Sequence, residues 1–160
     1  MARLPYPNVD PKTAPLNILK LLAHTPATAN PWSQVGAAQF KDLKLSSKNR
    51  ELAILLSTSK FRASYEWTHH VPVSTKEGVT DAQRDVLAQA GKQKGFFLRS
   101  PPQTADLFTL QEQTLLVFLE AIIDGPQVSE EIWKRAKSEF SDREIVEIIT
   151  LQVSLPGYSG

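Results

Sequence analysis

The chain has 160 residues, 41% hydrophobic and 22% charged, which suits one folded domain with a sizeable core. A net charge of +1 carries no footprint of a nucleic-acid or membrane-surface partner, and no segment approaches the roughly 20 apolar residues that span a bilayer. The absence of cysteine removes disulfides, thiolate metal sites, thiol nucleophiles and dithiol redox chemistry together.

The first residues, MARLPYPNVDPKTAPL, hold no apolar run typical of a secretion signal, and the final GYSG matches no retention or peroxisomal tag, so a cytoplasmic protein is expected. Residues 1–14 read as an extended, proline-rich lead, and 15–160 as one helical domain. Leu16, Leu19, Leu22 and Ala23 follow helical spacing up to Pro26. Trp32, Val35, Phe40 and Leu43 predict a second helix after Pro31. Ser46 or Ser47 caps a third, whose Leu52, Ile54, Leu55 and Leu56 are dense enough for central burial.

The next helix begins at SYEWTHHV, Ser64 to Val71. Glu66 lies in its first turn and His70 one turn later on the same face, with Trp67 and Val71 turned toward the core. Pro72 predicts a bend there. Capping boxes at Thr80–Gln83, Thr109–Glu112 and Ser141–Glu144 mark three later starts, and Gly78 and Gly125, the latter followed by Pro126, mark stops. Residues 91–102 form the long connector, with Phe96 and Phe97 expected to pack down. No alternating strand pattern, repeat or low-complexity tract is present. The fold class expected is all-α, a single-domain bundle of seven or eight helices.

The last helix carries Ile145, Val146, Ile148, Ile149 and Leu151 around much of its surface, with no following element to cover them. Exposing such side chains costs about 1.5–3 kcal/mol each. Cover from a second subunit is therefore expected over residues 144–155.

His is scarce, with three in the chain, yet His69 and His70 are adjacent and follow Glu66 closely. A first-turn carboxylate is favoured by the helix dipole, and an ionised Glu66 orients a ring one turn on and supports its charged form. The same spacing also fits an ordinary surface pair on a helix. A metal site needs a third well-placed ligand, and no zinc-like His spacing occurs.

Arg50-Glu51-Leu52, Tyr65-Glu66-Trp67, His70 and Gly78, with the later FSDREIVEIITL, resemble the carboxymuconolactone decarboxylase family, of the alkyl hydroperoxidase D-like superfamily. The resemblance implies an all-helical fold assembled as trimers or hexamers. In the family's thiol peroxidase branch a Glu and a His relay protons to a Cys-x-x-Cys pair. Aligning that His on His70 puts Glu51 on the relay Glu, and Ala63 and Glu66 on the two cysteines, so thiol peroxidase chemistry is excluded. The exchange at Glu66 is typical of the decarboxylase-like branch. Family members also continue past this chain's last helix into a further one, which QVSLPGYSG replaces.

The resemblance thus implies a cofactor-free lyase acting on a small cyclic organic acid. His70 would be the general acid, Glu66 its orienting partner and Glu51 a second proton relay. His69 is a candidate substrate donor, and Arg50 or Arg62 a candidate partner for the substrate carboxylate, spacing leaving both open. No metal or cofactor is implied. The alternatives are a non-catalytic oligomerising paralogue and a lyase or isomerase of a polycyclic natural product.

Overall fold

The computed structural model describes residues 4–10, 12, 16–99, 104, 106–125 and 127–154. Among them are eight helices and no strand, and the chain divides into two compact units after Asp42.

The first unit holds α1 (Asn17–Leu22) and α2 (Pro26–Lys41). The expected break at Pro31 is absent. The helix starts earlier because Pro26 occupies its first turn, where a missing N–H costs nothing, and Pro31 then removes a single internal bond. Leu43 lies beyond its end. No residue of α2 is buried, and Trp32, Val35 and Phe40 are all exposed.

In the second unit α3 (Ser47–Lys60) is the spine, with Asn49 to Thr58 buried without a gap. A helix apolar on most sides needs neighbours on most sides. It receives α4 (Ser64–Lys76), α5 (Asp81–Ala90), α6 (Leu110–Asp124) and α8 (Asp142–Ser154), while α7 (Glu130–Glu139) packs on α6. Leu52, Leu55, Leu56, Leu115, Phe118 and Leu119 form the fully buried centre.

The local signals hold. Ser46 caps α3 by accepting the Asn49 N–H, and all three capping boxes are formed. Gly125 ends α6; Pro126 lies outside the described residues. Phe96 and Phe97 pack against the core, held by Glu120, a fully buried carboxylate that accepts their N–H groups at 2.9 and 2.7 Å and pairs with Lys60 at 2.6 Å.

The reasoning about the last helix needs correction. Ile145, Ile148 and Leu151 are 3%, 0% and 1% exposed because α3 and α6 cover them within the chain, which leaves Val146 as the exposed large apolar one among the described side chains of α8. The expected absence of a further helix falls on residues 155–160, outside those described. No described helix is long and apolar enough to cross a membrane.

Candidate acid–base site

The site is built where α4 runs back along α3. Glu51, on the second turn of α3, is wholly buried, and His70, on the second turn of α4, is 7% exposed. His70 Nδ1 donates to Glu51 Oε2 at 2.8 Å, and Arg50 Nε donates to Glu51 Oε1 at 2.9 Å. Arg50 also lies 4.0 Å from Glu77 Oε1 at the end of α4. A chain of polar contacts, Glu77–Arg50–Glu51–His70, thus links the end of α4 to the buried pair. Facing a carboxylate acceptor, Nδ1 carries a His70 proton as the donor, and Nε2 is the nitrogen turned away from Glu51.

Of the remaining sequence-predicted residues, Arg50 joins this pair, and Glu66, His69 and Arg62 make no hydrogen bond to it. Glu66 is half-buried and makes no hydrogen bond or ion pair among the described residues, so the carboxylate that orients His70 is Glu51 and not Glu66. A helical spacing of four brings two Cα atoms onto one face, but α3 offers a closer partner from 19 residues away. His69 is exposed, its ring edge-on to Tyr65 at 4.4 Å between centroids. Arg50 is committed to Glu51. Arg62 is exposed, and its guanidinium has no hydrogen-bond or ion-pair partner among the described residues. No three His, Cys, Asp or Glu side chains of the described residues are grouped to hold a metal ion.

A cavity of about 300 Å³ opens at the turn between α3 and α4. Ala63, Trp67 and Ala88 line it together with Arg62 and four hydroxyl residues, Thr58, Ser59, Ser64 and Thr68, of which Thr58, Ser59 and Thr68 donate their hydroxyls to backbone carbonyls. Trp67, expected in the core, reaches it but also lines this space. Sequence reasoning missed Glu77, and it missed the hydroxyl residues, whose clustering around the α3–α4 turn in TSKFRASYEWT was the available signal.

No family model and no curated protein matches the chain. Among solved structures it is similar to the debrominase Bmp8, crystallised as a cysteine-to-alanine variant in complex with 2,3,4-tribromopyrrole. The match has a TM-score of 0.67 at 16% identity and covers 93% of this chain and 75% of that one. That likeness is one of fold, and it agrees with the all-helical architecture expected from the sequence.

Proposed function

We propose that the chain is a cofactor-free lyase acting on a small cyclic organic acid, with His70 as general acid and Glu51 as the carboxylate that orients it. The observation that carries the reading is the buried 2.8 Å hydrogen bond between them, reinforced by Arg50. Decarboxylation fits such a pair. As the bond to the carboxylate breaks, carbon dioxide leaves and its electron pair moves into a conjugated carbonyl. His70 Nε2–H then returns a proton to carbon, and solvent restores it. The neighbouring fold's small halogenated ring supports a compact cyclic ligand. Replacing C–Br by C–H, however, takes two electrons as well as a proton, and a proton is what His70 and Glu51 supply.

Turnover of lactone acids should fall by roughly 10²–10⁴ in His70→Ala. Equal rates in wild type and variant would remove His70 from the chemistry. The competing reading, a non-catalytic helical protein in which the pair only fastens α4 to α3, is favoured by one observation: His70 does not line the described cavity. Thermal-shift screening separates the two, since the lyase reading expects stabilisation by a small organic acid.

Assembly as trimers or hexamers belongs to the same proposal, supported by the resemblance and by Val146 at 58% exposure. Light scattering should give a multiple of three times 17.8 kDa. A stable monomer would end the assembly proposal.

A further inference from the structure

α3 and α4 end in the same way, with one difference. At the end of α4 the Val79 N–H reaches Ser74 O at 2.9 Å and the Gly78 N–H reaches Thr75 O at 3.2 Å, with Gly78 at φ +87°. At the end of α3 the Ala63 N–H reaches Thr58 O at 2.8 Å and the Arg62 N–H reaches Ser59 O at 3.2 Å. The residue in the left-handed conformation there is Arg62, at φ +57°, the sole non-glycine with positive φ among the described residues. This capping motif is ordinarily completed by glycine, because a Cβ is strained in that conformation. The chain uses glycine at one end and tolerates the strain at the other.

Arg62 also lines the cavity at the turn, and its guanidinium has no partner there among the described residues. Trp67, two alanines and four hydroxyl residues line the same cavity. At about 300 Å³ the space lies at the small end of ordinary ligand sites, roughly 300–1,000 Å³. We infer that this cavity binds a small, flat organic monocarboxylate, with Arg62 receiving the carboxylate and Trp67 contacting the ring. A planar guanidinium meets a carboxylate through two parallel hydrogen bonds, which a neutral isostere does not reproduce. The inference goes beyond the acid–base reading, because filling this cavity requires no chemistry at His70.

Benzoate and benzamide are suitable probes, read by titration calorimetry and by the indole N–H signal of Trp67 in nitrogen-proton correlation spectra, assigned with Trp67→Phe. Benzoate should bind saturably and shift that signal, and benzamide should bind roughly tenfold more weakly or worse. Arg62→Gly should lose benzoate affinity by roughly tenfold or more while its melting temperature rises by about 2–5 °C. Loss of binding with gain of stability is an outcome that a merely structural arginine would not give. Arg62→Lys, which keeps the charge without the fork, should fall between. His70→Ala should bind benzoate as wild type does, which keeps this test separate from that of the lyase. Equal binding of the two probes, no saturable benzoate binding, or unchanged affinity in Arg62→Gly would overturn the inference.

Discussion

Replacing Glu51 by Gln changes almost no volume and removes one member of an ion pair whose carboxylate has no exposed surface. Glu51 is 0% exposed, with Arg50 Nε at 2.9 Å and His70 Nδ1 at 2.8 Å. Gln keeps one carbonyl acceptor, but its amide presents donors to whichever partner faces the other side. The Arg50 guanidinium, 6% exposed, would then face a neutral amide, with Glu77 at 4.0 Å. Removing one partner of a buried pair costs about 3–5 kcal/mol, and the retained acceptor should hold the loss to about 2–4 kcal/mol. For a unit of this size that is a fall of about 6–15 °C in melting temperature, measurable by circular dichroism. A double-mutant cycle with Arg50→Met isolates the pair. If the two side chains act as drawn, the double variant should be more stable than the summed single losses predict, by about 1–3 kcal/mol. Glu51→Gln melting with the wild type, or strict additivity in the cycle, would refute the buried ion pair and the orientation of His70 that depends on it.

Two further predictions concern the frame that holds the site. Burial alone would raise the Glu147 carboxyl, but the N–H of Leu45, the Arg143 guanidinium and the N–H of Lys44 outweigh it and hold the carboxyl below its ordinary value of 4.5. A folded value below the unfolded one means stability that is present above about pH 4.5 and lost as pH falls through the lowered value. The advantage of wild type over Glu147→Gln in urea denaturation should therefore be steady, at about 1–2 kcal/mol, near neutral pH and shrink in acid; a constant gap down to pH 2–3 would contradict the assignment. Gly91→Ala places a Cβ 2.5 Å from Ser59 O and 2.6 Å from its carbonyl carbon, so α5 must move away from α3, at a cost of about 1–3 kcal/mol in the same assay; a neutral result would mean the two helices separate freely.

What the sequence revealed and what it concealed divide by the range of the interaction. Ser46, the three capping boxes and Gly78 were legible because each motif closes within a few residues. The length of α2 was not, since a rule against internal proline gave way to the good first-turn fit of Pro26. The orienting partner of His70 was misread because Glu66 is near in sequence, whereas Glu51 becomes near only when α4 folds back on α3. The cover on Ile145, Ile148 and Leu151 likewise comes from distant helices, so an apolar helix late in the chain looked bare. Buried Glu120 and Glu147 were overlooked inside apolar runs. An acid in such a run, as in LEAIID or EIVEII, is a sign that it caps backbone N–H groups of a connector. Arg62 left no local sign at all, since nothing about an arginine announces a glycine conformation.

The Arg62 side of the cavity and the acid–base pair are set apart along one seam, and that separation limits what a single substrate can do. Ala63, which follows Arg62 and lines the cavity, precedes His70 by seven residues, whereas Trp67, on the near side, precedes it by three; Thr58 follows Glu51 by seven on α3. Two helical turns amount to about 10 Å along each axis. A compact lactone acid about half that long cannot place its carboxylate against Arg62 and its reacting carbon against His70 Nε2 unless the arginine reaches far along the seam. An elongated acid could engage both ends. Inhibition by benzoate tells these apart. Against a compact substrate turned over at His70, benzoate held at Arg62 should leave KM unchanged. Against a long substrate it should raise KM and leave kcat alone, because the two would compete for the same guanidinium. Competitive inhibition of a compact substrate would show that the two ends form one site, and the separation drawn from the helix register would be wrong.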